Sequence, residues 1–475
     1  MAHEALPHVV IVGGGIAGLA AAFFLKDEPV RVTVLEGASR IGGKLSASEV
    51  AGVPMDAGAE ALLARRPEGI DLITATGLAE RLVPAGVTSS AIYTRGALRP
   101  LPRRQFMGVP ADIAELAATG VVSDEGIARA KAEAVLTPSE GDTSVAAYIG
   151  GRLGAEVVDR LVDPLLGGVY AGRSEDLSFR ATLAPLAAAA DKHDALTRAV
   201  ASMLPPPPSD NSKKPAPVFV SLTTGIGSLP EAVAKESNAA IRTNAMVRDL
   251  ERTRDGWRLT VGSAADPEYL DADAVILAVP AVPASRLLSR TDHTASSALG
   301  QIPYASMAII TLAFRAGDFP EAHRTRSGYL VPAVDGRAVK AVTFSTVKWP
   351  HLRAPVAPDV HIVRCSVGRS GEVALLQRDD QDLVALAAAE LGEAIGVTAA
   401  PVDSRVTRWG GALPQYNVGH LDRVAAVREA VAAQPGLAVA GAAYDGVGIP
   451  ACVATAKTAA AQVLNHVTGA GATIR

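Results

Sequence analysis

HVVIVGGGIAGLAAAFFL, residues His8–Leu25, is the stretch that decides the fold. His8–Val12 is a continuous apolar, β-branched run, the pattern of a strand buried on both faces in a parallel sheet. Gly13, Gly15 and Gly18 follow at G-x-G-x-x-G spacing, and Leu19–Lys26 carries helix formers with the small Ala22 one turn on. Strand, tight turn and helix are therefore predicted. The first glycine makes the turn, the second lets a pyrophosphate approach the backbone, and the third lets helix and strand pack closely. Phosphates are expected on the loop Gly13, Gly14, Gly15, Ile16, Ala17 and Gly18, where free N–H groups and the helix dipole favour anions.

Val30–Leu35 reads as a second strand ending at Glu36, with Gly37 beside it. An acid at that distance can accept hydrogen bonds from ribose hydroxyls. The glycine pattern by itself also suits an ordinary turn between core elements. Together with the strand, the helix and Glu36 it predicts dinucleotide binding, with NAD or FAD still open. Arg40-Ile-Gly-Gly-Lys44 comes next, and Gly42, Gly43 and Lys44 are read as a second turn returning to the phosphates. A plain exposed loop is the alternative, because glycine pairs are common turn formers.

Composition limits the rest. A chain of 475 residues suggests two or three domains, and 49% hydrophobic residues with mean hydropathy +0.23 exclude disorder over most of it. Eight Phe, three Trp and eight Tyr give no base-stacking surface, and a net charge of −4 gives no global basic field, so no nucleic-acid partner is expected. Cys365 and Cys452 form neither a disulfide framework nor a cysteine-rich zinc site, which fits a reducing cytosol. Val9–Leu25 is seventeen uncharged residues, short of the ~20 that span a bilayer. Four glycines interrupt it and no Lys or Arg precedes it, so neither a transmembrane segment nor a signal peptide is predicted.

Three further segments give these signals a family context. Gly13–Gly18, Glu36 and the RIGGK of Arg40–Lys44 resemble the two-part FAD fingerprint of flavin amine oxidases and protoporphyrinogen oxidases. LVDPLLGGVYAG, Leu161–Gly172, and TRWGGALPQYNVGH, Thr407–His420, are similar to segments of the porphyrinogen-oxidising branch. GAAYDGVGIPACV, Gly441–Val453, resembles its closing FAD motif, so the likeness runs in order through nearly the whole chain. Within that branch the sequence is most similar to the bacterial coproporphyrinogen III oxidases. It departs from them at Ala451, where the similar sequences tend to carry Asp before the Cys, which leaves any role of that carboxylate in doubt.

The resemblance implies an α/β (α+β) fold: a Rossmann-like FAD-binding domain of the flavin amine oxidase type, with an inserted helical region and a mixed-sheet substrate domain. The expected division is 1–90, 211–282 and 406–475 for the three FAD-binding segments, 91–210 for the helical insertion and substrate region, and 283–405 for the substrate domain. Read from the residues, helices are expected at 113–118, 124–136, 154–166, 181–201, 381–395 and 450–464, and sheet strands at 305–315, 339–347 and 359–368. Pro205–Pro208 and the polar SDNSKK after it read as an exposed linker.

The implied activity is FAD-dependent, six-electron oxidation of coproporphyrinogen III to coproporphyrin III in heme biosynthesis, with O2 as acceptor and H2O2 as product. A meso methylene hydrogen would leave as hydride to flavin N5 while a pyrrole N–H is lost. Protoporphyrinogen IX oxidation, or flavin binding without turnover, are the alternatives. Further cofactor contacts are expected from Ala57, Gly58, Ala59, Glu60, Val247, Trp409, Val447, Gly448 and Ile449. Arg65 and Lys348 are candidates for propionate binding, with Arg66, Arg103 and Arg104 as further cations, and Tyr170 and Tyr416 as aromatic walls. No metal-ligand spacing and no nucleophile motif is present, so no catalytic side chain is assigned and the flavin carries the chemistry. A cytoplasmic location and a transient contact with a ferrochelatase are expected from the family.

Overall fold

A computed structural model describes residues 6–135, 141–205, 217–353 and 359–469. His8–Val12 forms the central strand of a five-stranded parallel sheet. Arg31–Leu35 and then Ala240–Arg242 lie on one side of it, Ala274–Leu277 and then Leu437–Val439 on the other. Both faces of this sheet are covered. Val9 and Ile11 enter a core with the helices Ile16–Phe24, Leu229–Glu236 and Ile449–Thr468. Val10 and Val12 enter a second core with the meander Val247–Arg252, Trp257–Gly262, Pro267–Ala272 and the helices Ala281–Leu288, His293–Gly300 and His420–Ala432. A strand that feeds two cores needs an apolar residue at every position, which explains the unbroken run. Strand order reverses at His8–Val12, and ligands of open α/β sheets bind at such a reversal, outside the carboxyl ends of the strands.

A seven-stranded sheet forms the second body. Its order is Asp403–Pro414, Tyr304–Arg315, Val360–Val367, Val339–Phe344, Gly328–Leu330, Ser90–Thr94 and Ala97–Pro100. It is mixed, because Gly328–Leu330 and Ser90–Thr94 pair in parallel while the other neighbours are antiparallel. The helix Asp380–Ile395 lays Leu383, Ala387, Leu391 and Ile395 on it, as the three- and four-residue apolar spacing predicts. A helical region, including Ile113–Thr119, Asp124–Lys131, Asp163–Tyr170 and Leu196–Met203, gathers around a third core.

The structure departs from the sequence reading in several places. Residues near 90–110, expected among helices, are the strands Ser90–Thr94, Ala97–Pro100, Gln105–Phe106 and Val109–Pro110. The helix expected over 124–136 stops at Lys131, and residue 136 lies outside the described residues. The single helix expected over 181–201 is three, Phe179–Thr182, Ala184–Ala190 and Leu196–Met203, broken at Leu183 and at the polar DKHD of Asp191–Asp194. Helices Ala281–Leu288 and His293–Gly300 join the nucleotide-side core, and Asp403–Pro414 runs unbroken across the expected 405/406 boundary. Pro267–Ala272, the third strand of the meander, lies outside the strands read from the sequence. The proline-rich linker falls almost wholly on 206–216, outside the described residues. Cys365 and Cys452 are both free and buried.

Candidate cofactor and active site

The glycine loop is shaped as its spacing requires. Gly13 has φ +109°, and a Cβ there would sit 2.5 Å from the carbonyl oxygen of Ala278. A Cβ on Gly18 would sit 1.9 Å from the oxygen of Gly13, so strand and helix meet through this residue. Gly15 is different: it has ordinary extended backbone, φ −73° and ψ 176°, and a Cβ would meet nothing within 4 Å. Space is therefore left open in front of a helix start that has no side-chain cap. This cradle fits a phosphate approaching free N–H groups.

Glu36 stands at the carboxyl end of its strand, where it accepts from Gly14 N–H and Ala38 N–H, both at 2.7 Å. The side chain is thus fixed against the loop. Gly37 faces Met246, beside the partly bulged start of the meander at Val247. The second glycine turn does come back: Gly42 N–H donates to Gly14 O at 2.8 Å, and a Cβ on Gly43 would lie 3.4 Å from Gly15 Cα. Arg40 ties that turn, donating to Ile41 O at 3.1 Å and Gly43 O at 2.8 Å. Ile16 and Ala17 are buried, and the closing motif reaches them, a Cβ on Gly441 coming 3.9 Å from Ala17 Cβ. Burial lowers the Lys44 ammonium, against the opposing influence of Cys452 on the final helix.

Residues 57–60 form the next part of the wall. A Cβ on Gly58 would strike the oxygen of Lys44 at 1.9 Å and reach Trp409 at 3.2 Å. Trp409 Nε1 donates to Ala57 O at 3.0 Å, which brings this residue, predicted from a distant segment, onto the same stretch. Ala59 stands between Gly58, whose carbonyl accepts from Arg364 Nη2 at 2.6 Å, and Glu60, whose carbonyl accepts from the Ser221 hydroxyl at 2.7 Å. The Glu60 carboxylate binds Lys348 Nζ at 2.6 Å and Arg364 Nη1 at 2.5 Å. Burial opposes its ionisation, but the two cations more than offset this and hold the carboxyl at about 2. Below it, burial pushes Asp56 up to about 6 although Gly227 and Ile226 N–H groups both bond to it.

The closing loop supplies Val447, Gly448 and Ile449 at the start of the helix Ile449–Thr468, with Pro450 in the first turn and no side-chain cap. Val447 packs against the core that holds Tyr170 and Tyr416. Those two rings lie 5.4 Å apart, both buried, and burial raises the Tyr170 hydroxyl to about 12. The cation candidates do not converge. Arg65 and Arg103 are exposed, Arg66 pairs with Glu68 at 2.8 Å, and the backbone of Arg104 bonds to Glu115. Lys348, read as a propionate ligand, is instead a partner of Glu60; the tertiary fold brings the opposite charge to it from 288 residues away.

Arg364 was missed, although a charged residue inside the largely apolar, buried strand Val360–Val367 is a signal, since a buried Arg needs a partner. Among the described residues no group of His, Cys, Asp and Glu could hold a metal ion.

The arrangement matches known proteins along its length. The family model for flavin containing amine oxidoreductases matches residues 16–464. A coproporphyrinogen III oxidase of Mycobacterium tuberculosis (strain H37Rv) is 38% identical over 462 residues, covering 96% of both chains. The coproporphyrinogen III oxidase of Bacillus subtilis is 32% identical, covering 97% of this chain and 98% of its own. A crystal structure from Exiguobacterium sp. 255-15, described provisionally as a protoporphyrinogen oxidase, superposes with a TM-score of 0.84 at 32% identity, covering 96% of this chain and 98% of that one.

Proposed function

The chain belongs to the flavin containing amine oxidoreductase family, and from that premise we propose that it is an FAD-dependent coproporphyrinogen III oxidase. The observation that carries the reading is the convergence of Gly13–Gly18, Gly42–Lys44, Ala57–Gly58 and the closing segment at Gly441, from separate parts of the chain, on one cradle, in a protein alike end to end to oxidases of that name. The reaction removes six electrons and six hydrogens from the porphyrinogen, with three O2 as acceptors and three H2O2 as products. FAD, when bound, supplies the two-electron acceptor chemistry that no side chain offers.

The protein's part is positioning and exclusion of water. The Gly13–Gly18 loop and the uncapped start of the helix Ile16–Phe24 would present N–H groups to the phosphates, the uncapped start of Ile449–Thr468 would present its own to the flavin, and Glu36, held by Gly14 and Ala38, would face the ribose. Gly37 and Val247 border the adenine end. Trp409 braces Ala57 and Gly58, and the Lys348–Glu60–Arg364 network keeps that stretch rigid, so Lys348 acts through Glu60. Tyr170 forms part of the substrate wall, and Arg65, which is exposed, remains a candidate cation for a propionate. The same reading puts the protein in the cytoplasm, handing its product to a ferrochelatase. No helix among the described residues is long and apolar enough to cross a membrane.

A second reading, oxidation of protoporphyrinogen IX, is favoured by the description of the Exiguobacterium structure. Bovine protoporphyrinogen oxidase, at 26% identity, is the more distant match. The test is anaerobic: apoprotein titrated with FAD should acquire a bound-flavin spectrum, and coproporphyrinogen III should then bleach it. A bound flavin that stays oxidised with that substrate overturns the reading.

A further inference from the structure

The hydroxyl of Tyr416 makes two hydrogen bonds to one loop. It donates to Ala442 O at 2.6 Å and accepts from Gly446 N–H at 2.8 Å. The loop between these contacts is bounded by Gly441 and Gly446, at φ +124° and +138°, conformations only glycine adopts freely. It leads straight into Val447, Gly448 and Ile449 and the helix start proposed to face the cofactor. The Tyr416 ring is 2% exposed, which fixes where the hydroxyl can be. One face stacks on His420 at 3.8 Å and 13°, and Tyr170 lies 5.4 Å away.

His420 is fully buried and neither ring nitrogen has a hydrogen-bond partner among the described residues. Burial and the nearby Arg423 push its pKa down to about 4, despite Asp142, Asp445 and the Tyr444 backbone, so it stacks as a neutral ring. It offers Tyr416 no competing hydrogen bond, and both bonds of that hydroxyl go to the loop.

We propose that Tyr416 is a positioning residue for the cofactor, its hydroxyl clasping the loop 441–448 so that the N–H groups at the start of the final helix are set before the flavin arrives. The inference deepens the proposed function and rests on its placing of FAD at this loop. Without the hydroxyl, Ala442 C=O and Gly446 N–H lose their shared partner, and the loop must be ordered at the expense of cofactor affinity.

The test is hydrogen exchange with single-residue fragmentation on the full-length apoprotein, together with FAD titration. In the unmodified protein the Gly446 amide should exchange at least about tenfold more slowly than those of Asp445 and Gly448, the protection expected from one retained hydrogen bond. Tyr416→Phe should remove that protection and raise the FAD Kd about tenfold, while Tyr269→Phe, at an exposed tyrosine, changes neither. A Gly446 amide as labile as its neighbours in the unmodified protein overturns the clasp, even if Tyr416→Phe does not fold. Unchanged protection or unchanged Kd in a folded Tyr416→Phe also overturns it. Failure of the unmodified protein to bind FAD would instead sink the proposed function, and the exchange result would still decide the clasp.

Discussion

Lys348 Nζ lies 2.6 Å from Glu60 Oε1, an ion pair with both side chains less than one-fifth exposed. Each residue had been a candidate for a different ligand, one for a propionate and one for the flavin. Together with Arg364 they form a closed network that holds the stretch 57–60, and its energetics can be measured without any ligand.

Removing Glu60 leaves two buried cations facing each other. Glu60→Ala should therefore destabilise the apoprotein by about 3–5 kcal/mol, whereas Lys348→Met, which leaves Glu60 bonded to Arg364, should cost less. The Glu60 carboxyl titrates at about 2 in the fold and about 4.5 unfolded, so its contribution is complete above the unfolded value and is lost as pH falls through the folded one. Urea midpoints should show the gap between wild type and Glu60→Ala at neutral pH and its narrowing in acid. A gap independent of pH down to about 2 would contradict the assignment.

Two glycines of one motif should fail in different ways. A Cβ on Gly18 would lie 1.9 Å from Gly13 O, so Gly18→Ala must push helix from strand and lower the unfolding midpoint as well as FAD binding. Gly15→Ala has compatible backbone angles and open space, so its stability should match wild type while its FAD Kd rises about tenfold or more. Thermal unfolding of the two apoproteins, beside FAD titration, checks both halves.

Trp409→Phe keeps an aromatic ring but removes the 3.0 Å bond to Ala57 O and the indole Cζ2 that lies against Gly58. Such a bond is worth about 1 kcal/mol, so kcat/KM should fall by roughly three- to tenfold with the unfolding midpoint nearly unchanged. Steady-state kinetics and the visible flavin spectrum report this. Trp409→Ala should cost more, since the remaining ring is lost too.

Lys340 gives a pH signature in the second body. It is 5% exposed, donates to Gly368 O at 2.8 Å, and is lowered to about 7 by burial and the neighbouring Arg369. A depressed base contributes stability above its unfolded pKa, about 10.5, and loses it as pH falls through 7. Wild type should therefore gain stability over Lys340→Met as pH rises from 7 towards 10.5, measured by urea midpoints across that range. Parallel curves would show that Lys340 titrates normally.

The cofactor half was legible because its signals are local. An unbroken apolar strand, glycines at fixed offsets and an acid at the end of the next strand each depend on neighbours in sequence, and Gly42 and Gly43 returned to Gly14 and Gly15 as read. The strands Ser90–Thr94 and Ala97–Pro100 were not recognised. Their two-residue turn, Arg95 and Gly96 at φ +53° and +74°, carried a hairpin signal, but the edge strand is half exposed and shows no clean alternation. Asp403–Pro414 is likewise an edge strand, with half of its residues exposed, so the expected boundary falls inside it. Lys348 and Arg364 owe their roles to Glu60, 288 and 304 residues away, and Tyr416 to a loop 26 to 30 residues on, so local spacing does not set those partners.

Substrate choice separates the two porphyrinogen oxidations. The deciding comparison is the initial rate at which porphyrin fluorescence appears from coproporphyrinogen III and from protoporphyrinogen IX, with the same FAD-loaded protein under air. Coproporphyrinogen III should be oxidised faster. Equal or faster oxidation of protoporphyrinogen IX, or no oxidation of either by a protein that holds its flavin, would contradict the proposed function.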